Sequence, residues 1–509
     1  MSLHRRQVLG SAAAAVLATV GAAARTPDYG ALARGIDGRV VLPGDPDHPE
    51  ARRLFQPRYD SVAPAAVAYP AHAGDVAGCL DFARRSGAPV VPRGGGHSYA
   101  GWSTRAGGLV VDTGAMAAVS VDGDGVRIGA GARLGDVHAA LAGRGRSVPT
   151  GLCPSVGIAG LTLGGGLGLA SRAYGTTADR LAGARVVTPD GTVREVSADR
   201  DPELFWALRG GGGGNFGVVT EFRFRSHPVG SCAFAELHWP AAESAAVLRG
   251  WQRWLAALAD PFWSQVEFTV ESGTGTGTGA GAAGPPAVRV VCLDGRHELE
   301  RQLTRLADLV GGAPRDSWIV VRSHEDTVRA LSGCLELSPA QCRLPGTLPG
   351  RDPQGRLGRD SYAARSDFWA GGGLPDAAIG AVLDGVRRYG AGVPAGGRGV
   401  VQFDGVCGGA VNRVPADGTA FVHRDSAFLA QYLAYWPESA PAAEVARHQG
   451  WLDGLWQALR PWASGHAYQN YIDPKLTGRE AYYGANLARL QEVRRAYDPD
   501  RLFRFPQAV

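Results

Sequence analysis

Five side chains in this 509-residue sequence have types and settings that could do chemistry. His97 follows a run of three glycines in PRGGGHSYAGWS, Pro92 to Ser103. Cys153 lies in GLCPSVG, Asp404 in VQFDGVCGGAVNR, and Tyr468 and Tyr471 lie in YQNYIDP. A histidine delivered by a glycine run can be a catalyst, a ligand, an attachment point, or simply a hydrogen-bonded turn residue. The seven cysteines (Cys79, Cys153, Cys232, Cys292, Cys334, Cys342 and Cys407) show no metal-type CxxC spacing, so no zinc site is expected. Lys475 is the sole lysine, which sets aside Schiff-base and lysine-base mechanisms and leaves no Walker lysine for nucleoside triphosphates. A soft thiol and an imidazole, each on a glycine-rich loop, suit attachment to an electrophilic ring better than metal ligation.

The elements that must position these groups are loops rich in glycine: Gly94 to Gly96, Gly129 to Gly135, Gly157 to Gly168 and Gly210 to Gly217. GAGARLG follows a strand pattern and opens a helix, but its GxGxxxG spacing and the lack of an acidic residue about 20 positions on exclude a Rossmann site. What fits is a cofactor with phosphates and a large planar group, wrapped by several loops. In the fourth stretch Asn215 and Gly217 precede a strand, which reads as backbone amides turned towards an anion. From Tyr59 to Pro228 short strands (Val67 to Tyr69, Leu109 to Asp112, Val126 to Ile128) alternate with helices (Asp75 to Arg85, Leu134 to Ala142). Arg185 to Thr188 and Val193 to Val196 form a hairpin. Amphipathic helices are predicted at Ala245 to Ala259 and around Val445 to Leu459, and strand-like Ala287 to Val291 and Gly399 to Phe403 argue for a mixed sheet between them. Gly273 to Pro286 is a low-complexity surface loop.

A net charge of +4 with 45% hydrophobic residues describes an ordinary globular chain with no basic runs, so neither nucleic acid nor a membrane surface is expected as partner. Arg5-Arg6 before an alanine-rich stretch ending in Ala-x-Ala at Ala22 to Ala24 reads as a twin-arginine signal, too short to span a bilayer, which exports proteins already folded. Folded export fits a cofactor inserted beforehand. Cys334 and Cys342 are the only cysteines close enough in sequence to read as a local pair; most of the others read as buried thiols.

Together, RGGGHSY (Arg93 to Tyr99), GLCPSVG (Gly151 to Gly157), GGGLG (Gly164 to Gly168), RGGGGGNFGVVT (Arg209 to Thr220) and YQNYIDP (Tyr468 to Pro474) resemble the berberine bridge enzyme-like flavoproteins of the vanillyl-alcohol oxidase and p-cresol methylhydroxylase superfamily. The resemblance spans nearly all of the mature chain. It implies an α+β, two-domain FAD fold: a signal at 1–24, an FAD domain over 58–228, a substrate domain with an antiparallel sheet over 229–455, and a segment, 456–509, that completes the FAD site. It implies FAD attached twice, through His97 to the 8α-methyl and through Cys153 to carbon 6. Further cofactor contacts are expected at Arg93, Gly94, Gly95, Gly96, Ser98, Gly157, Gly160, Gly164, Gly165, Gly168, Asn215, Gly217, Val219, Tyr468, Asn470 and Asn486. Tyr471 is implied as the base, its phenolate needing cations or hydrogen bonds in this arginine-rich chain. Asp404 resembles the acid that assists it in sugar-oxidising relatives, although one extra residue separates it from Gly408-Gly409. The expected activity is an exported, monomeric oxidase passing hydride from an alcohol carbon of a carbohydrate or secondary metabolite to FAD and electrons to O2, giving H2O2. Amine oxidation of the hydroxynicotine type, a dehydrogenase that does not use O2, and a silent flavin-binding protein are the alternatives.

Overall fold

The computed structural model describes residues 27–271, 285–392 and 396–509; the signal expected over 1–24 and residues 273–284 of the low-complexity loop lie outside them. The first sheet joins β1 (Arg39–Val41), β2 (Ala66–Tyr69), β3 (Val90–Arg93) and β4 (Leu109–Asp112) in the order β1-β2-β4-β3, with β4 parallel to both β2 and β3. All four residues of β2 and of β4 are buried, as expected of strands covered on both faces. The helix Ala73–Ser86 crosses between β2 and β3, buries Val76, Leu80 and Ala83, and stops at Gly87 in the left-handed conformation (φ 71°). Its N-cap is His72, whose ring accepts from the Asp75 N–H.

A second sheet holds β5 (Val119–Asp122), β6 (Gly125–Gly129), β7 (Leu181–Val187), β8 (Val193–Val196) and β9 (Val218–Arg225) in the order β5-β6-β9-β7-β8, all antiparallel. The predicted hairpin is its β7–β8 pair. The helix Leu134–Ala142 has the predicted bounds.

The third sheet has seven strands: β10 (Ser231–His238), β11 (Phe262–Glu271), β12 (Ala287–Cys292), β13 (Asp316–Ser323), β14 (Ser361–Ala370), β15 (Arg398–Asp404) and β16 (Ser426–Trp436). Their order is β13-β10-β12-β11-β15-β16-β14, and every neighbouring pair is antiparallel. The mixed sheet expected from the strand pattern is therefore corrected: helices follow several strands, yet pack together on one face instead of acting as parallel crossovers. On that face Val266, Phe268, Phe403, Tyr432 and Trp369 meet the helices Ser244–Ala256, Arg296–Val310, Asp376–Gly392 and Ala442–Leu459 in one core, with Trp239, Trp251 and Trp254 fully buried. The opposite face turns towards the glycine loops. Among the described residues no helix is long and apolar enough to cross a membrane.

Candidate active site

Strand alternation puts Asp404 and Gln402 of β15 on the face of the large sheet away from the helices. Register places Gln265 and Leu429 directly opposite Asp404, and Gln431 opposite Gln402. The Trp263 indole N–H donates to Asp404 Oδ1 at 2.7 Å, and the Gln402 amide approaches Oδ2 at 3.5 Å. Burial pushes the Asp404 carboxyl up to about 7, against the two hydrogen bonds that favour its charge. Gln265 is 6% exposed, and its side-chain amide makes no hydrogen bond to any described residue.

The C-terminal segment reaches this face by running along the edge strand β14. The Phe368 N–H donates to His466 O (2.9 Å), Ser464 N–H to Phe368 O (3.2 Å), and Tyr468 N–H to Ser366 Oγ (3.0 Å). Behind the edge, Arg365 of β14 ion-pairs with Asp473 and Asp453, and Lys475 joins Asp453 at 2.6 Å. The segment thus presents Tyr468 and Tyr471, whose rings meet edge to face at 4.9 Å. The Tyr468 hydroxyl accepts from Gly166 N–H and from the Asn470 amide, and Asn470 also donates to Leu161 O. Tyr471 stacks on Tyr99 at 5.2 Å and 11°. Its hydroxyl is pushed well above its usual value, by burial first and then by Tyr99, Asp404, Tyr468 and Cys153. The arginine support expected for a Tyr471 phenolate is corrected here: the principal groups acting on it all oppose ionisation, and the ionisable partner poised near neutrality is Asp404.

Tyr99 was not among the expected site residues, although it ends the RGGGHSY motif. Its hydroxyl accepts from the Gln431 amide at 2.9 Å, and its ring meets Tyr362 edge to face at 5.1 Å. No periodicity could reveal it, because these ring and amide partners lie more than 260 residues away.

His97 stacks on Phe55 (4.1 Å, 20°) with Nε2 3.0 Å from Ser155 Oγ, and its Nδ1 makes no hydrogen bond to a described residue. Burial and the nearby Arg133 guanidinium push its pKa down to about 3, so the imidazole is neutral and nucleophilic at physiological pH. Cys153 is a free thiol with exposed surface, and its pKa is raised by the groups packed around it and by Asp360. Arg133 was also missed, because it sits in the GAGARLG stretch that fails the dinucleotide fingerprint. This buried guanidinium donates to the carbonyls of Gly94 and Gly131 and has no carboxylate in ion-pair contact among the described residues.

The glycine motifs pack mostly on one another. A Cβ on Gly95 would lie 2.2 Å from Gly157 N, and one on Gly157 2.3 Å from Gly95 N, so the first and second motifs cross backbone to backbone. Gly96 adopts φ 73°. Gly164, Gly165, Gly168 and Gly217 are held against Asn470, Phe421, Thr150 and Val187, whereas Gly94 has ordinary room and Gly160 is open. Several of the expected contact residues also have internal partners. Arg93 is buried in an ion pair with Asp112 (2.5 Å) and donates to Ala51 O. Ser98 Oγ accepts from Trp102 N–H. Asn215, expected to turn towards an anion, bonds Gly211 O and the Val509 N–H. Val219 is buried in β9 opposite Val186. Asn486 donates to the carbonyls of Ala416 and Thr419, which fastens that loop. Cys334 and Cys342 form the one disulfide among the described residues; Cys79, Cys232, Cys292 and Cys407 are buried thiols.

The residues present fit a flavin dinucleotide. The backbone N–H groups of Gly95, Gly96, His97 and Ser98 have no acceptor among the described residues, and Arg133 lies beneath them: the donor set that a pyrophosphate needs. Beside them stand a neutral imidazole with a free nitrogen and an accessible thiol, under a roof of tyrosines.

The comparisons with known proteins point the same way. Residues 64–197 match the family described as FAD binding domain, and residues 467–509 the family described as berberine and berberine like. The uncharacterized FAD-linked oxidoreductase YgaK of Bacillus subtilis is 31% identical over 484 residues, covering 93% of this chain and 97% of its own length. The (R)-6-hydroxynicotine oxidase of Paenarthrobacter nicotinovorans is 31% identical, covering 92% and 96%. Among solved structures, the glucooligosaccharide oxidase of Acremonium strictum, with its 6-S-cysteinyl, 8α-N1-histidyl FAD, superposes with a TM-score of 0.80 at 26% identity, covering 94% of this chain and 98% of that one.

Proposed function

Because this chain belongs to the berberine bridge enzyme-like FAD-linked oxidoreductases, we propose that it is an FAD oxidase acting on the CH–OH group of a polyhydroxylated substrate, with His97 and Cys153 as two attachment points for the cofactor. The observation that carries this reading is the placement of Tyr471, stacked on Tyr99 and edge to face with Tyr468, where both Asp404 and Cys153 act on its ionisation.

Held by His97 and Cys153, FAD would supply the hydride acceptor, and O2 would take the electron pair from it to give H2O2. The chain's own residues must move the hydroxyl proton. Tyr471 meets the substrate hydroxyl and takes its proton while giving its own to Asp404, whose pKa of about 7 leaves roughly half of it able to accept at neutral pH. This relay spares the protein from holding a free phenolate. Trp263 fixes the carboxylate, and Gln265, Gln402 and Gln431 offer amides that both donate and accept, as neighbouring hydroxyls require. The polar groups around Asp404 are an indole, carboxamides and phenols, which suit the hydroxyls of a carbohydrate. Neutral His97, with Nε2 engaged by Ser155, offers Nδ1 for the linkage. The exported mature chain runs as an FAD domain over 58–228 and 456–509 with the substrate domain between.

The test is peroxide release on cello-, xylo- and chito-oligosaccharides and (R)-6-hydroxynicotine, with tryptic mass spectrometry of the flavin peptides. Peroxide from a sugar, abolished in Asp404→Asn and Tyr471→Phe, with FAD on the His97 and Cys153 peptides, is expected. FAD released quantitatively by acid would overturn double attachment, and turnover of the amine alone would overturn the substrate class.

A further inference from the structure

We infer that Gln507 is a positioning residue that locks the loop carrying His97 to the loop carrying Tyr471. The inference rests on the roles proposed above for those two residues. Gln507 is 4% exposed and lies more than 30 positions from either loop's nearest contact. Its Oε1 accepts from the Trp102 indole N–H at 2.9 Å, and its Nε2 donates to Asp473 O at 2.7 Å and Leu476 O at 2.9 Å.

Each end of this bridge has a defined chemistry. Trp102 closes the His97 loop: its N–H donates to Ser98 Oγ, and Gly101 N–H donates to Ser98 O. Asp473 and Leu476 frame the turn directly after Tyr471, where Leu476 N–H donates to Asp473 O and Lys475 N–H to Asp473 Oδ1. An indole offers only a donor and the two carbonyls only acceptors, so the bridging group must accept on one side and donate twice on the other. A carboxamide does this in a single orientation; a carboxylate, a thioether or a hydroxyl cannot.

The other bonds of the Tyr471 segment lead elsewhere. Tyr468 and Asn470 tie it to Gly166 and Leu161, and Asp473 ties it to Arg365 on the large sheet. Towards the His97 loop it has the Tyr99–Tyr471 ring stack in the cleft and Gln507 behind it. Two points of contact fix an angle where one permits rocking. Gln507 therefore sets the tilt of Tyr471 relative to the ring that His97 holds, and the two loops open together or not at all.

Three variants separate this coupling from plain stabilisation: Trp102→Phe, which removes one N–H and keeps the ring packing, Gln507→Met, and Gln507→Glu, which keeps the acceptor and sets an oxygen against two carbonyls. Leu306→Ala, in the distant helix core, serves as a control of matched melting temperature. Hydrogen–deuterium exchange is followed in peptides covering 98–102 and 469–476, with the fraction of FAD that stays on acid-precipitated protein. Trp102→Phe should raise exchange in 469–476, across the bridge, by about threefold or more, with Gln507→Glu larger still and less FAD retained in all three. Exchange that rises only within the mutated residue's own loop, or an equal rise and equal FAD loss in Leu306→Ala, overturns the inference. Should wild-type FAD be released by acid, the attachment reading fails, while the exchange result still decides the coupling.

Discussion

Replacing Trp263 with Phe removes one hydrogen bond and keeps a smaller aromatic ring in place. That bond, 2.7 Å from the indole N–H to Asp404 Oδ1, favours the carboxylate against the burial that pushes its pKa up to about 7. A hydrogen bond to a charged group in such a setting is worth about 1.5–3 kcal/mol, and about 1.4 kcal/mol corresponds to one pKa unit. Loss of the bond should therefore raise Asp404 by about 1–2 units, to roughly pH 8–9. If the ionised carboxylate is what accepts the proton, about half of the native protein is competent at pH 7, but only about a tenth to a hundredth of the variant. The rate of flavin bleaching under anaerobic conditions, followed by stopped flow from pH 5 to pH 10, should fall about 5- to 50-fold at pH 7 and recover towards the native rate above about pH 9. Any product-release step is bypassed, since a single reduction is read. A loss of equal size at every pH would show that Trp263 only shapes the cleft, and an acid limb that does not move would refute Asp404 as the proton acceptor.

The same carboxylate should cost stability. Its folded pKa lies above the ordinary value, so the neutral form is the one the fold prefers; the native state loses stability as pH rises from about 4 towards 7. Asp404→Asn should accordingly melt higher than the native protein at pH 8 by about 1–2 kcal/mol, since the cleft leaves the group partly solvated, and no higher at pH 4; thermal unfolding at both pH values checks this. Gly95→Ala should damage two motifs at once, because the new Cβ would fall 2.2 Å from Gly157 N. A loss of about 2–4 kcal/mol and weakened FAD binding are expected by melting and flavin titration, whereas Gly160→Ala, with open space around it, should be near neutral.

What the sequence determined on its own was the inventory and its order. Turn chemistry and 3.6-residue patterning placed the helix Leu134–Ala142, the Gly87 stop and the β7–β8 hairpin, because each is decided by contacts a few residues apart. The single lysine and the lack of metal spacing narrowed the chemistry, and the paired motifs pointed to His97, Cys153, Asp404 and Tyr471. Only the tertiary structure decided what those residues meet. The antiparallel order of the large sheet, the stack of Tyr99 on Tyr471, the bond from Trp263 to Asp404 and the bridge through Gln507 all join residues far apart in the chain. So does the back-to-back crossing of Gly95 and Gly157, which packs two glycine loops on one another. Protonation followed the same division: residue type makes Asp404 an acid and His97 a base, but burial and neighbours, which exist only in the fold, move one to about 7 and the other to about 3.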